Sequence, residues 1–397
     1  MSDLSIRDAR RFFWHDAGWR AVTAAFTLNG LLFGIWASRI PSFKETFILS
    51  QATLGFLLLG LAGGAIVSFP FAGGLSERLG AARMTVLCGL LYCPALVLLS
   101  LAPSVILLGV ALFVFGALHG SMDVAMNGWA AKVETRLARP TMSIFHAMFS
   151  LGAGLGAASG YAAVKLGLAP FAHFLTLALL GGAIAMWQMW PQRDATPPQA
   201  SAVTVERKLF TLPHGPLLLV GLVALSISMG EGAMADWSAV FLQRVVNVSE
   251  AQAALGYAAF SATMVLTRLS GGILVQWLGP VQVTRFSGIF AFVGLIIVIF
   301  SPSLIPALFG FALIGIGYAL IMPLVFSRAA NDPDMPPGPA IASVATVGYG
   351  GMLLGPPVVG FVAQLAGLQV SFGLLALLAL CAVLLATVLR LTPSRRN

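Results

Sequence analysis

The chain alternates between long apolar runs and short polar gaps. An apolar run of roughly 20 residues is long enough to cross the hydrocarbon core of a bilayer as a helix. Twelve such runs predict membrane-spanning helices over residues 21–39, 52–73, 84–102, 104–132, 141–166, 170–190, 217–242, 251–276, 283–301, 304–328, 340–366 and 369–390. The one long polar gap predicts three parts: an N-terminal six-helix bundle over 1–190, a linker over 191–216 and a C-terminal six-helix bundle over 217–397.

Composition agrees with a membrane protein. Only 9% of the residues are charged and 58% are hydrophobic, whereas a soluble protein carries roughly 25% charged residues. The net charge of +8 does not indicate nucleic-acid binding, because the basic residues lie in the gaps rather than on one polar face. Cys88, Cys93 and Cys381 lie inside apolar runs, so we expect neither a disulfide nor a metal set. No cofactor, metal or catalytic residue is predicted.

The distribution of Lys and Arg predicts the orientation. If the N-terminus is cytoplasmic, 17 of the 22 basic residues fall in cytoplasmic gaps and four fall on the other side. Lys and Arg are enriched in the cytoplasmic loops of membrane proteins. We therefore expect a multi-pass protein of the cell inner (plasma) membrane with a cytoplasmic linker and two cytoplasmic termini.

An internal repeat relates the two predicted bundles. At an offset of 199 residues, similar features recur in the same order of elements: Gly80 with Gly279, Pro103-Ser104 with Pro302-Ser303, Gly116 with Gly315, and Gly152 and Gly156 with Gly351 and Gly355. The predicted fold class is an all-α membrane protein of twelve helices in two pseudo-symmetric six-helix bundles. In such an architecture the solute site lies between the halves, near the middle of the membrane.

The loop after the second predicted span reads GGLSERLGAAR over residues 73–83. It resembles the major facilitator superfamily signature G-x-L-x-D-R-x-G-x-x-R, with Glu77 as the acid, and GILVQWLG over 272–279 resembles a degraded copy. The resemblance implies the major facilitator fold for the whole chain. Glu77, Arg78 and Arg83 are expected to form a cytoplasmic latch that acts as a gate.

A narrower resemblance concerns GSMDVAMN over 120–127 and FHAMFSLG over 145–152. These segments are similar to the fucose permeases and the YbjJ-like bacterial inner-membrane proteins, which implies a proton-coupled carrier. Two departures weigh against a drug/proton antiporter. Gly116 stands in the fourth span, where those antiporters carry an arginine, and GAASG over 156–160 replaces their Gly-Pro pair.

The few polar residues inside the predicted spans are the candidate site. A charge near the bilayer centre costs about 2.5–3.5 kcal/mol, so it needs a partner or a wet cavity. His119, Asp123 and Asn127 recur every four residues and share one face of a helix. They are the first candidates for proton-linked solute binding. The alternative is a buried network that only holds helices together.

A second acid, Glu231, lies between two glycines, roughly 21 Å along the seventh predicted span. It is predicted to be a protonatable site or a solute acceptor, with a structural acid as the alternative. Arg268 and His146 lie at a depth similar to each other in their predicted spans. We expect Arg268 to neutralise Asp123, with His146 between them. A snorkelling arginine is the alternative.

Further polar residues complete the predicted site. Asp236 is expected to pair with Arg39 as an outer gate, unless the two are independent interfacial charges. Asn29, Tyr318 and Tyr257 are expected to line the cavity, whereas His15 and His173 are expected to be interfacial. The predicted substrate-binding residues are Asn29, His119, Asp123, Asn127, Glu231 and Tyr318, and the predicted proton-coupling residues are Asp123, His146, Glu231 and Arg268.

Together these features predict a secondary active transporter that moves a small polar solute, sugar-like or an organic acid, by alternating access and proton-coupled symport. The expected partners are the solute, protons and the lipid bilayer, with no nucleic acid, and the chain is expected to be monomeric. The alternatives are a proton-driven efflux antiporter for amphipathic compounds, an intramembrane enzyme using His119 and Asp123, and a non-transporting receptor. No nucleotide-binding loop of the G-x-x-x-x-G-K type is present, which argues against ATP-driven pumping.

Overall fold

The computed structural model describes residues 15–137, 141–196, 213–335 and 337–390. Most of the predicted linker, residues 197–212, lies outside the described residues. The first six helices are α1 Ala17–Thr46, α2 Gln51–Leu79, α3 Ala81–Leu99, α4 Val105–Leu137, α5 Met142–Lys165 and α6 Pro170–Met189. A 3-10 turn, Trp190–Gln192, follows α6.

The later helices repeat this order, with an added one-turn helix and with one helix broken into two segments. They are α7 Pro216–Arg244, the one-turn helix Glu250–Ala253, the long element Leu255–Ile299, α10 in two segments Leu304–Tyr318 and Ile321–Ala330, α11 Pro337–Ala366, α12 Leu368–Leu384 and the 3-10 turn Ala386–Leu389. Gly279, at φ 74° and ψ 161°, divides the long element into α8 (255–278) and α9 (280–299). A positive φ is open to glycine at little cost, so the helix direction reverses there.

Twelve apolar helical segments are thus present among the described residues, as predicted. Ten helices are long and apolar enough to cross a membrane when α8 and α9 are taken together and α12, with 17 residues, is set aside. Polar side chains cap the starts of two helices, and the first of them, α1, begins at Ala17, ahead of its predicted start at residue 21. The Asp16 carboxylate accepts from the N–H of Trp19 at the start of α1, and Glu134 accepts from Thr141 and Met142 at the start of α5.

Glycines bring helices into backbone contact at equivalent places in both halves. A Cβ at Gly116 of α4 would overlap the carbonyl oxygen of Leu61 in α2, and a Cβ at Gly315 of α10 would overlap that of Phe260 in α8. In the same way, Gly152 and Gly156 of α5 lie on the backbone of α1, and Gly351 and Gly355 of α11 lie on that of α7. The 199-residue repeat seen in the sequence therefore corresponds to a repeat of helix packing.

Outward faces of the helices carry large apolar side chains. Leu91, Ile106 and Leu179 are among many that are exposed, which suits contact with lipid chains. Trp187, Trp190 and Trp277 are exposed at the end of the bundle that also holds Arg83, Arg136 and Arg193. Tryptophan is enriched at the membrane–water boundary. We call this end the basic end, and the other end the Glu250 end.

The two halves meet along α5 with α8 and along α2 with α11, and α1 also contacts α7. Several polar and ring contacts cross between them: Ser42 and Arg39 with Glu250, Glu45 with Gln243 and Arg244, Ala52 with Gln364, Phe56 with Phe361, and Ser150 with Arg268 and Met264. All of these contacts lie at mid-bundle or at the Glu250 end. These contacts therefore hold the halves together at mid-bundle and at the Glu250 end.

We predict that Gly116→Ala destabilises the protein, because the new methyl group overlaps the Leu61 carbonyl oxygen and forces α4 away from α2. The expected loss is about 1–3 kcal/mol of unfolding free energy, as in other overpacked interiors. Thermal unfolding of the purified protein in detergent measures it. The control is Gly373→Ala in α12, where a Cβ meets nothing within 4 Å. Equal melting temperatures for the two variants would contradict the packing argument.

Candidate functional site

Polar and charged side chains meet at mid-bundle, where α4 and α5 of the first half face α7, α8, α10 and α11. An apolar groove also runs between α2 and α4, lined by Phe56, Ile106 and Phe113 among others. That groove opens on the outer surface and offers no ionisable group for chemistry. The mid-bundle cluster is therefore the candidate site.

Arg268 of α8 is the centre of this cluster. Its Nη2 atom lies 3.2 Å from the Oε1 atom of Glu231 in α7, and its Nη1 atom donates to the Ser150 hydroxyl in α5 at 2.6 Å. Its Nε atom donates to the backbone carbonyl of Ala319, at the break in α10, at 3.3 Å. The Arg268 and Glu231 side chains are only 11% and 18% exposed. One cation therefore joins three helices of the second half to one helix of the first.

Glycines flank Glu231 on both sides, and neighbouring helices pack closely against them. A Cβ at Gly230 would overlap the Tyr318 ring, which lies directly on that glycine, and a Cβ at Gly232 would overlap the carbonyl oxygen of Met352 in α11. The helices α10 and α11 therefore pack close to α7 on both sides of the acid. This packing directs the Glu231 carboxylate to Arg268.

Asp123 of α4 lies across the interface from this ion pair. Asn127, one turn later, donates from its side-chain nitrogen to the Asp123 carboxylate at 3.1 Å and to its backbone carbonyl at 2.9 Å. Tyr349 of α11 interacts electrostatically with both Asp123 and Glu231. Tyr349 is also exposed, although it lies in the middle of its helix. Tyr349 is therefore a partly exposed ring within electrostatic reach of both acids.

The two histidines of the cluster are held differently. His119 shares a 3.0 Å hydrogen bond with the Tyr92 hydroxyl through Nδ1, and its ring stacks on Phe33 with 5.0 Å between centroids. His146 lies with its edge against Phe26 at 5.2 Å and interacts electrostatically with Arg268. His119 is therefore oriented within the first half, whereas His146 lies across the interface from Arg268 of the second half.

These contacts decide among the predicted partners. The stripe of His119, Asp123 and Asn127 is on one side of α4, as expected, and Arg268 reaches the interface. The expected pairing of Arg268 with Asp123 is not formed, because the α7 glycines bring Glu231 closer to Arg268. Asn29 is fully buried and donates to the Met126 sulfur at 3.6 Å. Tyr318 is also fully buried, so neither side chain lines an open cavity in this structure.

A second polar cluster closes the Glu250 end. The Arg39 Nε atom lies 3.3 Å from the Oε1 atom of Glu250, and the Ser42 hydroxyl donates to the same carboxylate. Asp236 is buried, and its Oδ1 atom has no hydrogen-bond partner among the residues that the structure describes. The predicted pair of Arg39 with Asp236 is therefore replaced by a pair with Glu250. Sequence patterns missed Glu250 because it begins a one-turn helix outside the cores of the spans.

His173, expected to be interfacial, is buried in the same region. Its Nε2 atom shares a 2.9 Å hydrogen bond with the Ser159 hydroxyl, and Arg39 interacts with it electrostatically. Its position between α5 and α6 required the packing of those helices to be known. No sequence spacing signals it.

Comparison with known proteins assigns the family. A sequence model of the Major Facilitator Superfamily matches residues 22–338. The chain belongs to the major facilitator superfamily. It is 44% identical over 375 residues to the uncharacterised transporter y4wD of Sinorhizobium fredii, which covers 94% of this chain and 98% of that protein. It is 37% identical over 356 residues to an uncharacterised MFS-type transporter of Yersinia pestis, which covers 90% of this chain and 91% of the relative.

The superfamily fold is also found among solved structures. A bacterial homologue of the human lysosomal transporter Spinster, in an inward-facing and occupied conformation, aligns with a TM-score of 0.71 and 16% identity over 93% of this chain and 95% of that one. At this identity the likeness concerns the fold alone. The fold prediction is confirmed, and the relatives are named transporters, in agreement with a transporter rather than an enzyme. The narrower resemblance to fucose permeases stays a prediction.

The superfamily signature loop contacts the end of its own half. Arg83 Nε bonds the Asp194 carboxylate at 2.6 Å, and the Ala82 N–H donates to the Thr196 hydroxyl at 2.7 Å. The hydrogen bond from Arg83 lowers the pKa of Asp194. Both side chains are about half exposed, so the ion pair itself contributes little stability. Glu77 and Arg78 are exposed at the same end.

These contacts bind the signature loop to the start of the linker. Gly80, at φ 90°, lets the chain pass closely over the Thr196 carbonyl. The contact of Arg83 is with the start of the linker rather than across the interface. The predicted gate role of Glu77, Arg78 and Arg83 therefore stays a prediction, and the contacts seen here anchor residues 194–196.

We predict that Glu231→Gln destabilises the protein, because it leaves the Arg268 charge unpaired in a nearly buried site. Removing one partner of such a pair costs about 3–5 kcal/mol, measured by thermal unfolding in detergent. Arg268→Gln is expected to be destabilising for the same reason. The double variant should lose clearly less than the sum of the two single losses. Strictly additive losses would show that the two side chains are not coupled.

Proposed function

We propose that the protein is a secondary active transporter that moves a small polar solute by alternating access, coupled to protons. The observation that carries this proposal is the chain of contacts from Glu231 through Arg268 to Ser150, which crosses between the halves at mid-bundle beside Asp123. In the superfamily architecture, solute sites lie at this interface and depth. A solute bound there touches both halves at once.

Charge balance supports proton coupling. Glu231 and Arg268 neutralise each other, whereas the hydrogen bonds given above for Asp123 come from the neutral Asn127 side chain. An ionised carboxylate at this depth costs about 2.5–3.5 kcal/mol unless it is compensated. A proton on Asp123, or a hydrogen-bond donor from the solute, removes that cost. Protonation and solute binding therefore affect the same few atoms, which is the requirement for coupling.

Two contact regions support alternating access. The polar contacts of Glu250 with Arg39 and Ser42, and of Glu45 with Gln243, hold the halves together at one end. In this proposal the basic end faces the cytoplasm, so this structure is closed toward the outside. The moving units are the bundles of residues 1–190 and 217–397, joined by the linker 191–216, and they lie in the inner membrane.

The site favours a solute with hydroxyl or carboxyl groups. Asp123, Asn127 and Glu231 offer oxygen acceptors for hydroxyl groups, the Asn127 amide also offers a donor for a carboxyl group, and the partly exposed Tyr349 ring offers a flat surface. A sugar-like solute or an organic acid suits these groups, and we favour import by proton symport. An efflux antiporter for amphipathic compounds would need a larger apolar lining than these residues provide.

We predict that Asp123→Asn and Glu231→Gln each abolish solute uptake driven by an inward proton gradient. A thermal-shift screen of sugars, organic acids and nucleosides first selects the solute, and reconstituted proteoliposomes then measure uptake with and without an imposed pH gradient. Asp334→Asn, an exposed acid away from the cluster, is the matched control and should keep wild-type uptake. Uptake by the wild-type protein that ignores the gradient in both directions would rule out proton coupling. Uptake opposed by an inward gradient would instead indicate antiport.

We predict that the basic end faces the cytoplasm and the Glu250 end faces the outside, as the distribution of Lys and Arg indicates. Leu166→Cys places a thiol in an exposed turn at the Glu250 end, and Thr135→Cys places one on an exposed position at the basic end. A membrane-impermeant thiol reagent should label the first variant in intact cells and the second only after permeabilisation. The reverse pattern would invert the proposed orientation.

A further inference from the structure

The helix α10 changes its packing partners at its break. The segment Leu304–Tyr318 packs on α8 and α9, whereas the segment Ile321–Ala330 packs mainly on α7 and α11. Backbone contacts at Gly315 and Gly317 hold the first segment against α8 and α9. The second segment has different neighbours, so it can move with α7 and α11 rather than with α8. The break at residues 319–320 is therefore a boundary between two packing units.

A proline next to this boundary leaves one backbone carbonyl without a helical partner. In an α-helix the N–H of each residue donates to the carbonyl four residues earlier. Pro323 has no N–H, so the carbonyl of Ala319 receives no hydrogen bond from position 323. Ala319 is fully buried, and an unpaired carbonyl in such a place costs free energy comparable to a lost hydrogen bond.

Arg268 supplies the missing donor. Its Nε atom lies 3.3 Å from the Ala319 carbonyl oxygen, while its two other nitrogens contact Glu231 and Ser150. The neighbouring Leu320 packs over Gly271, one turn after Arg268, where a Cβ would overlap its side chain. The helix α8 thus holds both the backbone and a side chain of the break in α10.

We propose that Pro323 is a positioning residue for proton coupling: it leaves the Ala319 carbonyl to Arg268, so the charge on Glu231 controls how α8 holds the bend of α10. This inference rests on the proposed function and extends it, since it requires Glu231, in addition to Asp123, to take up a proton. While Glu231 is ionised, the guanidinium is fixed between three acceptors. A proton on Glu231 removes its anionic partner, and the guanidinium can then follow the Ala319 carbonyl as the second segment of α10 tilts.

The groups that surround Glu231 define the electrostatics of this device. Arg268 and Tyr257 face it from α8, Tyr318 from α10 and Tyr349 from α11, with Asp123 of α4 and His146 of α5 across the interface. Arg268 is the only one of these six that carries a fixed positive charge. The hold on α10 therefore depends chiefly on the Glu231–Arg268 pair.

The test measures the position of the second α10 segment without any solute. Spin labels are placed at Thr135→Cys on α4 and Asn331→Cys after α10, two exposed positions at the basic end, in a background with Cys88, Cys93 and Cys381 replaced by serine. Pulsed electron spin resonance on the full chain in nanodiscs gives the distance between the labels from about pH 4 to pH 8, a range that includes the reference pKa values of glutamate and histidine side chains. The wild-type distance is expected to shift with pH, and Glu231→Gln should abolish the shift.

Pro323→Ala is the decisive variant. The introduced alanine supplies an N–H that competes with Arg268 for the Ala319 carbonyl, so the pH-dependent shift should be lost although the ion pair is intact. Arg268→Lys should also lose the shift, because an ammonium cannot bond the three acceptors in the same fork. Pro94→Ala is the matched control: Pro94 also lies inside a helix, in α3, and its i−4 residue Leu90 is exposed on the outer surface. It should keep the wild-type shift.

The outcomes separate the inference from the proposed function. If Pro323→Ala and Arg268→Lys both respond to pH like the wild type while Glu231→Gln does not, the inference is overturned and proton uptake at Glu231 stands. If Glu231→Gln responds like the wild type, Glu231 is not a proton site and the inference is overturned, whereas proton coupling through Asp123 stands. A wild-type distance that is independent of pH also overturns the inference, whereas the proposed function is decided by the uptake assay. Loss of the shift in Pro94→Ala would show that any proline removal has this effect, and would overturn the role of Pro323.

Discussion

The close approach of helix backbones at glycine is the constraint on which the rest of this structure depends. Inside a bilayer, apolar side chains gain little by meeting one another, because the lipid chains are equally apolar. Helix association must then come from dense van der Waals packing and polar contacts. Gly116 and Gly152 bring α4 onto α2 and α5 onto α1, and Gly315 and Gly351 do the same for their counterparts in the second half. These four pairs form the stable units of the protein.

Contacts between the halves include one close backbone approach, of Gly55 in α2 to Gly360 in α11, but the others named here are of a different kind. Glu250 with Arg39 and Ser42, and Arg268 with Ser150, are polar contacts between side chains. A polar contact can be exchanged for water, a proton or a solute group at moderate cost, whereas an interlocked backbone cannot separate without losing its packing. The glycine-packed helix pairs are thus densely packed, whereas the polar contacts between the halves are exchangeable, and that difference permits the halves to move against each other.

The sequence is sufficient to predict the elements and the repeat, because length and apolar content report directly on membrane spans. It is also sufficient for the stripe of His119, Asp123 and Asn127, since their spacing defines a helix face without knowledge of any other helix. It is not sufficient to predict which polar residues pair with one another. Many of these helices are apolar on all sides, so periodicity does not show which face points inward. Whether Arg268 meets Asp123 or Glu231 depends on helix rotation and tilt.

Two other partners depended on features that lie outside the spans or act through the backbone. Glu250 begins a one-turn helix with the capping residue Ser249 before it, and only the folded chain brings it to Arg39. A search for polar side chains does not find the Ala319 carbonyl. Pro323 nevertheless indicates it, because a proline has no N–H to donate to the carbonyl four residues earlier. An account of intramembrane polarity that lists side chains alone therefore misses the acceptors that prolines create.

The need to compensate a buried charge in a low dielectric connects these observations. Arg268 cannot be left without an acceptor, so any event that removes the Glu231 charge must be accompanied by a new anion, a new acceptor or a movement of the arginine. All three acceptors of Arg268 lie on different helices, and one of them, Ser150, belongs to the other half. A change in one proton is consequently felt by four helices at once. In this arrangement, coupling requires no signal path through the bundle, because the binding group and the moving parts share a single cation.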